Sequence, residues 1–130
     1  MIYVIGIGPG DKRLMTGEAL QAIEEAEVIV GYVTYIKLIK ELIKHKEVVK
    51  TGMRREIDRC QEAVDIALTG KKVAVVSSGD AGIYGMAGLV LELAEKSDQA
   101  LEVKVIPGIT ASIGAAAVLG APIMHDFCHI

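Results

Sequence analysis

Tryptophan is missing from this 130-residue chain, phenylalanine occurs once and tyrosine four times. With 52% of residues hydrophobic, the core must therefore be built from aliphatic side chains and alanine. That composition suits helices laid on a parallel sheet, whose strands are buried on both faces and read as continuous apolar runs. Cysteine is also scarce. Cys60 and Cys128 stand far apart with no paired spacing, which argues against a secreted disulfide scaffold and leaves both as thiols. A dense basic stripe is lacking too, and the formal charge is −3, so the attraction that supplies most nonspecific nucleic-acid affinity is absent. No nucleic-acid partner is expected.

Met1 runs directly into the strand-like Ile2-Tyr3-Val4-Ile5, without a basic region, hydrophobic stretch and cleavage site. A cytoplasmic location is the expectation. Residues 105 to 124 carry no charge and have the length of a membrane span. Pro107, Gly108, Gly114, Gly120 and Pro122 interrupt them, so they are read as a buried strand plus helix, with no membrane contact. The length allows one domain.

Five short apolar runs read as strands: Ile2 to Ile7, Val28 to Val30, Val48 to Lys50, Val73 to Ser77 and Val103 to Ile106. Helical spacing separates them. Ile57, Cys60, Val64, Ala67 and Leu68 fall on one face, with Arg59, Glu62 and Asp65 elsewhere around the turn. Tyr35 or Ile36, Ile39, Leu42 and Ile43 repeat the signature, with Lys37, Lys40 and Lys44 toward solvent. Thr16 and Thr110 suit helix N-caps, and Gly70 a helix end. Alternating strands and helices predict an α/β fold, a five-stranded mostly parallel sheet flanked by helices. Such sheets bind ligands at the carboxyl ends of their strands.

Three glycine-bearing loops occupy those ends. Gly6-Ile7-Gly8-Pro9-Gly10-Asp11 follows the first strand. It departs from the dinucleotide fingerprint, since Asp11 replaces the third glycine and Gly31-Tyr32 replaces a ribose-binding carboxylate. It also lacks the Gly-Lys-Ser/Thr ending of a phosphate loop. Ser77 to Gly85 places the single carboxylate Asp80 among small residues, where it could face a cationic ligand or cap the next helix. Pro107-Gly108-Ile109-Thr110-Ala111-Ser112 adds hydroxyls and opens a slender, alanine-rich helix. Three such loops at one sheet edge exceed what turns alone require.

Together, Gly-Ile-Gly-Pro-Gly-Asp at 6 to 11, Ser-Gly-Asp-Ala-Gly-Ile-Tyr-Gly at 78 to 85 and Pro-Gly-Ile-Thr-Ala at 107 to 111 resemble the tetrapyrrole methylases, S-adenosylmethionine enzymes of the corrin and sirohaem pathways. Many members carry proline where this chain has Ala81. Gly31 to Ile36, Thr51 to Glu56, the Ala81 variant of the second loop and His125-Asp126-Phe127-Cys128 are similar to precorrin-3B and cobalt-precorrin-3 C17-methyltransferases. The resemblance implies the N-terminal domain of the tetrapyrrole methylase fold over residues 1–120, with 121–130 a linker toward a C-terminal domain outside this chain. It implies a homodimer as well.

The same resemblance implies S-adenosylmethionine as methyl donor, contacted by Pro9, Gly79, Asp80, Ala81, Ile83, Tyr84, Thr110 and Ala111. It implies a precursor macrocycle as substrate, methylated at C17 with ring contraction in cobalamin biosynthesis, its mouth lined by Gly8 and Gly10. That macrocycle is a polycarboxylate, for which Lys12, Arg13, Arg54 and Arg55 are the candidate cations. Methyl transfer needs no covalent protein intermediate. Ring contraction calls for proton shuttling, for which Asp11 and His125 are the candidates. His125, Cys128 and His129 are metal-ligand types, but no fourth ligand accompanies them, so no protein-bound metal is expected. Two alternatives remain: another corrin or sirohaem methyltransferase, or a truncated non-catalytic binding or dimerisation module.

Overall fold

The computed structural model describes residues 1–97 and 99–130. Strands β1 (Ile2–Gly6), β2 (Val28–Tyr32), β3 (Glu47–Thr51), β4 (Val73–Ser77) and β5 (Val103–Ile106) form one sheet of order β3-β2-β4-β1-β5. Every strand pairing is parallel. The helices are α1 (Gly17–Glu25), α2 (Val33–Leu38), α3 (Glu56–Leu68), α4 (Ala87–Glu95) and α5 (Ala111–Leu119).

Alternation along each strand builds two cores. Ile2, Val4, Val28, Val30, Val73 and Val75 face α3 and α4, while Tyr3, Ile5, Ile29, Ala74 and Val76 face α1 and α2. This division follows from topology. Steps toward β3 lay α1 and α2 on one face, and steps back toward β5 lay α3 and α4 on the other, as crossovers of one hand require. Adjacent strands β1 and β4 consequently send their chains to opposite faces. The crevice between those departing loops is the topological switch point.

Several expectations need correction. Ile57 is 66% exposed, because it sits at the first turn of α3 beyond the sheet, and Arg59 is buried instead. The helix expected from Tyr35 to Ile43 stops at Leu38, and a 3-10 turn over Lys40–Leu42 follows. Ile36, Ile39 and Ile43 are nevertheless buried. The charge-free stretch 105–124 is largely a surface, since β5 is an edge strand with Val105 exposed and α5 has no buried residue. No helix among the described residues is long and apolar enough to cross a membrane. Cys60 is enclosed in the core, and burial pushes its thiol up to about 11.

Candidate functional site at the strand ends

The loops leaving β1, β4 and β5 are stapled into one rim. Gly8 and Gly79 exchange backbone hydrogen bonds in both directions, at 3.0 Å and 2.8 Å. Asp80 joins the next pair: its Oδ1 accepts from the Gly82 N–H at 2.8 Å and its Oδ2 from the Gly108 N–H at 2.9 Å. The carboxylate thus ties the β4 loop to the β5 loop and does not cap α4, whose N-cap is Met86. Close approach is possible because Gly6 has no side chain. A Cβ there would lie 2.6 Å from the Gly79 carbonyl oxygen and 2.8 Å from the Gly108 nitrogen.

Inside the rim lies a cavity of about 680 Å³. Pro9, Gly79, Asp80, Ile83, Tyr84, Thr110 and Ala111 reach its wall, so seven residues singled out from three separate loops meet there. Tyr84 is 82% exposed and holds φ at +51°, a left-handed conformation that costs a non-glycine residue energy and tends to mark functional loops. Thr110 occupies the N-cap of α5 without a side-chain capping bond. Its hydroxyl is therefore not spent on the helix.

Other expected residues stand outside the wall. Ala81 is fully buried behind it, its carbonyl accepting from the Ala87 N–H at 3.0 Å. Gly8, Gly10, Lys12, Arg54, Arg55 and His125 do not line the cavity. Asp11 and Arg13 are also outside and bind each other, with the Arg13 Nη2 2.6 Å from Asp11 Oδ2. The Arg13 hydrogen bonds hold the Asp11 carboxyl at about 2, which makes it a weak base at neutral pH.

Several residues of the wall carried no expected site role, Arg59, Tyr32, Ser77 and His129 among them. Arg59, placed off the apolar face of its helix, is 2% exposed, a correction with a clear geometric reason. It lies at i−4 to Ala63 and i−7 to Ile66, on the edge of the apolar stripe, and that spacing was the signal that could have placed it. Its Nε donates to Thr51 Oγ1 at 2.6 Å and its Nη2 to the Gly52 carbonyl at 3.0 Å, while its Nη1 approaches Met86 Sδ at 3.4 Å. The Tyr32 ring lies under the guanidinium at 5.9 Å and packs edge-on against Tyr35 at 5.2 Å. Ser77 Oγ is buried with no hydrogen-bond partner. His129 reaches the wall from the C-terminal segment, its Nε2 2.6 Å from Ser112 Oγ. Among the described residues no three His, Cys, Asp or Glu side chains gather around a possible metal position.

A parallel sheet with stapled loops over its switch point defines a small-molecule site of the α/β type. The chain belongs to the tetrapyrrole (corrin/porphyrin) methylases, a family that matches residues 1–130. It is 61% identical over 130 residues to a probable cobalt-factor III C(17)-methyltransferase of Salmonella typhimurium, covering all of this chain and 54% of that protein. Identity to a precorrin-3B C(17)-methyltransferase of Sinorhizobium is 39% over 132 residues, covering 99% of this chain and 52% of the other. The crystal structure of the methyltransferase CobJ matches with a TM-score of 0.91 at 41% identity, over 99% of this chain and 54% of that one. Uroporphyrin-III C-methyl transferase from Thermus thermophilus, complexed with S-adenyl homocysteine, matches with a TM-score of 0.77 at 25% identity, over 96% and 53% respectively. The chain therefore spans about half the length of these relatives.

Proposed function

We propose that the chain carries the methyl-donor site of a cytoplasmic S-adenosylmethionine-dependent enzyme that methylates a corrin precursor at C17, with ring contraction, in cobalamin biosynthesis. The observation that carries this reading is the single stapled rim around the cavity. Its volume falls within the roughly 300–1,000 Å³ usual for small-molecule sites. The residues present fit the donor: the cavity offers glycine backbone, hydroxyls, tyrosine rings and one orphaned buried hydroxyl, Ser77 Oγ. The names of the Salmonella and Sinorhizobium relatives support C17 as the position and a precorrin or cobalt-containing macrocycle as substrate.

In this reading Pro9, Gly79, Asp80, Ile83, Tyr84, Thr110 and Ala111 hold the donor, and Ala81 sets the loop from behind. The donor supplies an electrophilic methyl group on a sulfonium. The chain's part is to hold the two reactants in line and exclude water, the entropic share of catalysis. Gly8, Gly10, Lys12, Arg54 and Arg55 are assigned to a polycarboxylate that enters from outside the wall, Arg13 being already held by Asp11, and His125 is assigned to proton transfer in ring contraction, since Asp11 is left a weak base. The working unit is a homodimer in which residues 121–130 connect to a second α/β unit.

Calorimetry with S-adenosylhomocysteine tests the donor site directly. A micromolar Kd is the expected result. No detectable heat at millimolar ligand would leave a dimerisation or binding module as the better reading, and a methylated product substituted elsewhere than C17 would point to another corrin methyltransferase.

A further inference from the structure

The cavity wall contains a buried cation that the fold itself does not neutralise. A guanidinium keeps its charge under biological conditions and carries five N–H donors. Arg59 turns three of them toward neutral acceptors: the Thr51 hydroxyl, the Gly52 carbonyl and the Met86 sulfur, the last a weak one. One N–H on each terminal nitrogen is left over. Among the described residues no carboxylate lies within ion-pair distance of Arg59. The two carboxylates that share the wall do not supply one. Asp80 is engaged with the Gly82 and Gly108 amides, and Glu56 is solvent-exposed at the first turn of α3. Enclosing a lone charge is costly unless an opposite charge completes the site.

A second feature points to the same place. Ser77 is 3% exposed and its hydroxyl is the unpartnered buried side-chain oxygen of the cavity wall. Strand register puts it one strand from Tyr32, whose ring lies under the Arg59 guanidinium. Tyr32 pairs with Thr51, and Gly31 pairs with Val76, so Tyr32 and Ser77 occupy the next level of neighbouring strands. By the alternation of β2 and β4 both point toward the face covered by α3 and α4, where Arg59 resides.

We propose that Arg59, with Ser77 on the same wall, forms a carboxylate-binding subsite of the cleft. The inference rests on the methyltransferase reading and deepens it. Two ligand groups share the required chemistry: a peripheral carboxylate of the macrocycle and the amino-acid carboxylate of the donor. A guanidinium fork binds either through paired, charge-assisted hydrogen bonds, which a lysine cannot duplicate.

Binding to the wild-type chain, Arg59→Gln and Arg59→Lys decides the matter, with three probes: S-adenosylhomocysteine, 5′-methylthioadenosine, which lacks the amino-acid end, and uroporphyrin III. Arg59→Gln should weaken one carboxylate-bearing probe by about tenfold or more, as loss of a charge-assisted pair implies, and leave methylthioadenosine unchanged. Arg59→Lys should recover only part of that loss. A loss confined to S-adenosylhomocysteine assigns the donor carboxylate, and one confined to uroporphyrin assigns the macrocycle. Equal weakening of methylthioadenosine would mean that Arg59 only braces the Thr51–Gly52 turn, and would overturn the subsite. So would unchanged affinity for all three probes. A wild-type chain that bound none of them would overturn the methyltransferase reading and this subsite together.

Discussion

At the scale of single residues, Asp80 shows how two loops of the site can depend on one side chain for their backbone contacts. Both carboxylate oxygens accept backbone N–H groups, one within its own loop and one across to Gly108. Sequence placed Asp80 at the site but left its partner open between a ligand cation and a backbone amide, because the 28-residue separation from Gly108 is invisible without the fold. Asp80→Ala should cost about 2 kcal/mol of stability, since hydrogen bonds to charged groups contribute about 1.5–3 kcal/mol and two amides would lose their acceptor. Urea unfolding measures it. Asp80→Asn should retain much of that cost, because an amide offers one acceptor where two are used. A variant as stable as the wild type would show that the two loops are held by the glycine contacts alone.

Among the secondary-structure elements, most of what short-range pattern can encode was legible. All five strands lie where apolar runs place them, including β3, whose short run made it the least distinct. Their order was not readable, because parallel pairing joins segments such as β1 and β4 that lie some seventy residues apart. Arg59 was misplaced for a related reason. A charged residue on the border of an apolar stripe reads as solvated unless the opposing turn, here Thr51–Gly52, is known to receive it. The two threonine caps give a direct test of what pattern reading can and cannot see. Thr16 Oγ1 accepts from the Ala19 N–H at 3.1 Å, whereas Thr110 sits at an N-cap with no such bond. Thr16→Ala should therefore destabilise the chain by about 1 kcal/mol. Thr110→Ala should cost well under half that amount in urea unfolding, yet weaken S-adenosylhomocysteine binding, because its hydroxyl belongs to the cavity.

Across the whole molecule the decisive asymmetry is between two well-covered sheet faces and a bare end beyond β5. Absence of charge from 105 to 124 looked like burial, but hydrophobicity alone does not say whether a partner is present. Helix α5 stands outside both cores, with Val118 88% and Leu119 77% exposed. Its end is fixed by Gly120 at φ +62°, whose N–H turns back to the Ala116 and Ala117 carbonyls, so the helix closes through its own backbone. Replacing Val118 and Leu119 together by lysine should therefore change the unfolding free energy by no more than about 0.5 kcal/mol per site, the usual range for surface substitutions. The same double variant should reduce concentration-dependent self-association measured by light scattering, because exposed apolar patches promote contact between molecules. A loss of several kcal/mol would instead mean that these side chains are packed within the chain, contrary to their exposure. The cavity meets α5 only at its first turn, through Ala111 and Ser112, so the double variant should bind S-adenosylhomocysteine as the wild type does.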